Sequence, residues 1–63
     1  MLRLREYRIK ANLSQAELSK LTGLTQAFLS ELESGKKNPS LETLVKVSGV
    51  LGCTVDDLIG KSA

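Results

Sequence analysis

Hydrophobic and polar positions follow a helical period along the whole chain. Apolar residues recur three or four positions apart within each segment, as at Leu4, Tyr7 and Ala11. Alternating apolar and polar runs rich in β-branched residues, which are typical of strands, do not occur in the sequence. The pattern therefore predicts an all-α fold of five short helices, with residues 1–63 forming a single domain.

Hydroxyl side chains mark the starts of four predicted helices, and Gly or Asn marks the ends of the first four. Ser14 and Glu17 have the spacing of a capping box, in which each side chain bonds the backbone N–H of the other residue. Glycine and asparagine tolerate the left-handed conformation that closes a helix. These signals predict helices over about 2–11, 15–22, 26–34, 41–51 and 55–59, with N-caps at Ser14, Thr25, Ser40 and Thr54 and ends at Asn12, Gly23, Gly35 and Gly52.

The fourth predicted helix has one apolar face and an internal glycine. Its spacing predicts five inward residues, which are Leu41, Leu44, Val47, Ser48 and Leu51. Gly49 lies in the interior of this helix, where glycine costs about 0.5–1 kcal/mol relative to alanine. Close packing against a neighbouring element is the one structural reason that we consider for this glycine.

Composition excludes several classes of function. The 63 residues carry a net charge of +2, with no histidine and a single cysteine, Cys53. His/Cys metal clusters, histidine-dependent triads and an internal disulfide are therefore excluded, and we expect no enzyme activity, metal or cofactor. Cys53 is interpreted as a small buried apolar residue. No apolar run approaches the roughly 20 residues of a membrane span, so a cytoplasmic protein without membrane or small-molecule partners is expected.

Residues 15–34 predict a helix-turn-helix. Two short capped helices are joined by Gly23-Leu24-Thr25, a connection too short for an antiparallel pair, so the helices cross steeply. If Leu29 and Leu32 face inward, the opposite side of the second helix carries short side chains: Gln26, Ala27, Ser30, Glu31 and Ser34. Such a face can enter the major groove, where glutamine pairs with adenine and a carboxylate accepts from cytosine.

Four segments together resemble the Cro/C1-type (Xre-like) helix-turn-helix family, which includes the lambdoid phage repressors. They are Gln15-Ala16-Glu17-Leu18, Gly23-Leu24-Thr25, the run from Leu29 to Lys36, and the run from Asn38 to Leu44. The resemblance covers about residues 2–60. It implies a compact five-helix, lambda-repressor-like domain and a sequence-specific transcriptional regulator, similar to phage repressors or restriction–modification controller proteins.

The resemblance also implies residue roles. Gln26, Ala27 and Glu31 match base-reading positions, and Ser30 is an assisting candidate from its place on the same face. Gln15 matches a glutamine that contacts phosphate and braces Gln26. The other phosphate candidates are Ser34, Lys36, Lys37 and Asn38, and Arg8 with Glu33 matches a largely buried ion pair. Ala27 and Glu31 replace longer amides of some phage repressors, so base preference does not carry over.

Alternatives stay open at several positions. Glu31 either reads a base or orients a neighbouring side chain, and Phe28 either contacts DNA or covers the core. A domain this small contacts a short site, so we expect a homodimer on double-stranded palindromic DNA. Its candidate interface residues, which alternatively close the monomer core, are Val50, Val55, Leu58 and Ile59. The rival function is a helix-turn-helix that binds a protein partner without DNA.

Overall fold

The computed structural model describes residues 2–61, which form five α-helices and no strand. This confirms the predicted all-α fold. The helices, in chain order, are α1 (Leu4–Lys10), α2 (Gln15–Thr22), α3 (Gln26–Ser34), α4 (Leu41–Leu51) and α5 (Val55–Ile59).

Hydroxyl caps begin the last four helices, as the sequence predicts. Ser14, Thr25, Ser40 and Thr54 each accept a hydrogen bond from the backbone N–H three residues on. The predicted capping box of α2 is complete, since the Ser14 N–H donates to Glu17 Oε1 at 2.8 Å. That bond holds the pKa of the Glu17 carboxyl below its usual range. α5 starts with a second capping box, between Thr54 and Asp57.

The first helix departs most from its predicted bounds. It begins at Leu4, two residues later than expected, and the N–H of Arg3, just before it, donates to the Leu58 carbonyl at 2.7 Å. That bond ties the start of the chain to α5, and α1 has no side-chain cap because the Arg3 side chain contains no hydrogen-bond acceptor. Its end agrees with the prediction, since Asn12 adopts the left-handed conformation with φ 63°.

A small core joins all five helices. Six side chains keep 2% or less of their surface exposed: Leu4, Leu18, Leu29, Leu32, Val47 and Leu58. α2 packs on α3 and α4, α1 packs on α3, and α5 packs on α4. Phe28 is half-buried against this core, which agrees with its interpretation as a core-covering residue. Cys53 is likewise half-buried against the core, and burial raises the pKa of its thiol.

One expectation for the fourth helix is wrong, and the close packing considered for Gly49 is not observed. Leu41 is 69% exposed, because it lies in the first turn at the edge of the apolar face, beyond the core. At Gly49, a Cβ would meet no atom within 4 Å beyond its chain neighbours and the backbone of its own helix.

Leu58 must be removed from the predicted dimer surface. Its side chain is fully enclosed in the core of its own chain, so it offers no area to a second copy. Val50, Val55 and Ile59 stay half-buried and keep part of their surface accessible.

Two kinds of feature are absent from the part of the chain that the structure describes. Over 2–61, no helix has the length and apolar character needed to cross a membrane. The same stretch brings together no group of three or more cysteine, aspartate and glutamate side chains that could hold a metal ion.

Candidate nucleic-acid interface

Side-chain hydrogen bonds fix the turn between α2 and α3. Gly23 takes a left-handed conformation with φ 77°. The Ser19 hydroxyl donates to the Leu24 carbonyl, while the Leu24 N–H donates to the Thr22 hydroxyl at 3.3 Å. Two hydrogen bonds thus join Leu24 of the connection to α2, and they set the orientation of α3 relative to α2.

The outward side of α3 is exposed where the spacing predicts it. Gln26, Ala27, Ser30 and Ser34 are exposed, and Glu31 is half-buried. Leu29 and Leu32 anchor the opposite side in the core. Within residues 2–61, the side chains of Gln26 and Ser30 form no hydrogen bond, so they are available to a ligand.

A polar network joins the first three helices behind this face. Arg8 Nε lies 2.8 Å from Glu33 Oε2, and these side chains are only 12% and 5% exposed. Arg8 also donates to the Leu13 carbonyl at 2.8 Å. The hydrogen bond to Glu33 raises the pKa of the Arg8 guanidinium, so it stays charged.

Gln15 belongs to the same network. Its Nε2 donates to Glu33 Oε1 at 3.2 Å, so the amide contacts Glu33 and not Gln26, which it was expected to brace. Gln15 also lines an open groove beside α3, together with Arg5, Ser30, Glu33 and Ser34. The groove therefore brings two predicted phosphate contacts, Gln15 and Ser34, next to a predicted base contact, Ser30.

The other edge of α3 carries a contact that sequence reasoning missed. Lys37 Nζ lies 3.4 Å from Glu31 Oε1 and 5.9 Å from the centre of the Phe28 ring. The signal was the pair of opposite charges on either side of Gly35, which ends α3. Lys36 and Asn38 are exposed in the loop that follows.

These features define a helix-turn-helix domain with an exposed second helix. The chain belongs to the helix-turn-helix family, since the model of that family matches residues 4–58. The match confirms the resemblance to the Cro/C1 type.

Several relatives share most of this chain. One protein of Archaeoglobus fulgidus, named an HTH-type transcriptional regulator, is 38% identical over 56 residues, or 89% of this chain and 79% of that protein. The immunity repressor protein of Bacillus phage phi105 is 34% identical over 59 residues, or 94% of this chain and 41% of the repressor. SinR of Bacillus licheniformis, another HTH-type transcriptional regulator, is 35% identical over 60 residues, covering 94% of this chain and 54% of its own.

Proposed function

We propose that this protein is a sequence-specific DNA-binding transcriptional regulator that places α3 in the major groove. The observation that carries the proposal is the outward side of α3. It is exposed and carries short side chains, and hydrogen bonds in the preceding turn hold the helix in position. Relatives of this chain are named transcriptional regulators, and one is named an immunity repressor. A role as repressor or controller fits this set of names.

Base reading is assigned mainly to Gln26. It is the first residue of α3, at the end of a recognition helix that meets the base edges. A glutamine amide there can bond adenine N6 and N7 together. We assign Ala27 to contact with a thymine methyl group, and the Ser30 hydroxyl can bond either a donor or an acceptor.

Phosphate contacts are assigned to the residues around this helix. The bond from Gln15 to Glu33 uses one amide hydrogen and leaves the second to donate to a phosphate oxygen. Ser34 lies in the same groove, while Lys36 and Asn38 extend from the loop after α3. Such contacts hold the protein in register on the duplex without reading sequence.

A homodimer on a palindromic operator completes the proposal. A single α3 spans too few base pairs for high specificity, and two copies related by a two-fold axis double the site. Val50, Val55 and Ile59 are the interface candidates, because each is an apolar side chain with accessible surface near the C-terminal helix.

Selection of binding sites from a random DNA pool tests the function directly. We expect a palindromic consensus whose half-sites lie one helical turn apart, about 34 Å. Affinity should fall between roughly 50 and 200 mM salt, with a log–log slope near −0.9 for each phosphate contacted. A folded protein with no DNA affinity at low salt contradicts the proposal and favours the rival protein-binding module.

A further inference from the structure

The Glu31–Lys37 pair lies on an outward edge of α3. At about 100° per residue, Leu29 and Leu32 point inward, and the two flanks of the helix differ. Gln26 and Ser30 occupy one flank, whereas Phe28 and Glu31 occupy the other. The Lys37 ammonium reaches back from the loop to this second flank, 3.4 Å from the Glu31 carboxylate.

The backbone fixes the start of the Lys37 side chain. Gly35 turns the chain with φ 83°, and the N–H groups of Lys36 and Lys37 donate to the Glu31 carbonyl at 2.9 and 3.3 Å. The ammonium also lies over the Phe28 ring, 5.9 Å from its centre, where the π-electrons attract a cation. Although 55% of its side chain is exposed, Lys37 is therefore held along the helix by three contacts.

The Lys37 ammonium, a donor, lies beside the Glu31 carboxylate, an acceptor, and this pair matches the major-groove edge of a G·C pair. Guanine presents O6 and N7 as acceptors, and its partner cytosine presents the N4 donor. Lysine bonds the two guanine acceptors, and glutamate accepts from cytosine N4. A T·A pair fits less well, because its thymine methyl group crowds the lysine and adenine N7 adds an acceptor beside the carboxylate.

We propose that Glu31 and Lys37 together read one G·C base pair in each half-site. Lys37 donates to guanine O6 and N7, and Glu31 accepts from cytosine N4. This inference rests on the proposed DNA-binding function. It moves Lys37 from the predicted phosphate contacts to base reading, while its neighbour Lys36 keeps its proposed phosphate contact. It also explains how a carboxylate is accommodated near DNA, because its charge is paired with Lys37.

Binding-site selection with matched variants tests the pair. The wild-type chain should select G·C at one fixed position per half-site. Lys37→Ala and Glu31→Ala should each lower the preference at that same position roughly tenfold, and the double variant should lose no more than the single variants. Lys37→Arg should restore the preference, because arginine also bonds guanine O6 and N7.

Lys36→Ala is the matched control, since it removes an adjacent lysine without touching the pair. It should weaken all sequences alike and reduce the salt slope by about one. If Lys37→Ala behaves like Lys36→Ala and leaves the consensus intact, the inference is overturned while the proposed function stands. If the folded wild-type chain selects no sequence at all, the proposed function itself fails. Circular dichroism establishes that each variant keeps its helices.

Discussion

Glu33 accepts hydrogen bonds from two helices at once, from Arg8 of α1 and Gln15 of α2. Its carboxylate is almost fully enclosed, so each of its bonds replaces one that water would have made. The same residue therefore contributes to stability through Arg8 and positions Gln15 for its proposed phosphate contact. A change at this site alters folding and binding together.

Removing the arginine of this pair should destabilise the domain strongly. In Arg8→Ala, the Glu33 carboxylate stays enclosed without its cation, and we expect a loss of about 3 kcal/mol in the free energy of unfolding. Urea denaturation followed by circular dichroism measures the change. Arg3→Ala is the control, because its ion pair with Glu6 is exposed and should contribute about 1 kcal/mol or less. Equal losses in the two variants contradict the assigned role of Arg8.

Replacement of the proposed adenine reader should change sequence preference. Gln26→Ala removes an exposed amide without structural bonds, so the fold is retained and discrimination at one base pair per half-site falls by about 1–3 kcal/mol. Competition between the selected site and single-base variants measures this loss. Lys46→Ala, an exposed change on α4 outside the proposed surface, should keep the consensus. An unchanged consensus in Gln26→Ala means that another residue is the reader.

At the scale of the helices, α4 contains a glycine that its structure does not require. Gly49 has no positive φ, and the space where its Cβ would lie is open. Gly52, at the end of the same helix, has φ 70°, a conformation that side chains with a Cβ rarely adopt. Of these two glycines, three residues apart, the fold therefore requires Gly52 and does not require Gly49.

Alanine substitution at these two glycines should give opposite results. Gly49→Ala should raise the free energy of unfolding by about 0.5–1 kcal/mol, because alanine loses less backbone entropy in a helix. Gly52→Ala should lower it by about 1–2 kcal/mol, because a left-handed conformation strains the added Cβ. Thermal and urea unfolding measure both changes. A destabilised Gly49→Ala variant contradicts the open environment seen at this position.

Local signals predicted most of the helix boundaries. A hydroxyl at Ser14, Thr25 or Ser40 satisfies a backbone N–H within its own turn, so the sequence alone reveals the start. The start of α1 was not predictable in this way, because its N-cap residue is Arg3, whose side chain cannot accept a hydrogen bond from the first turn. Leu41 was misplaced for a different reason, since periodicity gives the direction of a side chain and not what covers it.

The candidate interface was likewise predictable from the sequence only in part. The outward face of α3 followed from the spacing of Leu29 and Leu32 within one helix. The bond of Gln15 with Glu33 and the contact of Lys37 with Glu31 depend on how separate segments meet. The folded chain was needed to find the partner of Gln15, whereas the opposite charges flanking Gly35 were a sequence signal for the Lys37 contact.

For the whole molecule, size bears on how two copies can share a DNA site. The Cα atoms extend over 30 × 23 × 18 Å. Half-sites one helical turn apart require two reading helices separated by about 34 Å. Because the longest extent of one copy is 30 Å, two copies are needed to place a reading helix in each half-site.

A charge placed in the proposed dimer interface should prevent association without unfolding the chain. Ile59 ends α5, where a cation interacts favourably with the helix dipole, so Ile59→Lys should keep the helix. Two copies of the new lysine would repel across the two-fold axis. We expect a monomer by sedimentation equilibrium, weaker binding to the palindrome and unchanged binding to a single half-site. A wild-type chain that stays monomeric on its selected palindrome contradicts the dimer.

The separation between the two sides of α3 has an evolutionary consequence. Gln26, Ala27 and Ser30 make no side-chain hydrogen bond within residues 2–61, whereas Leu29 and Leu32 hold the helix in place. Substitutions on the outward side therefore cost little stability, and a lineage can change the DNA sequence that it is proposed to read without first repairing its fold. A library randomised at these three positions should consist largely of folded proteins, each a starting point for a new DNA target.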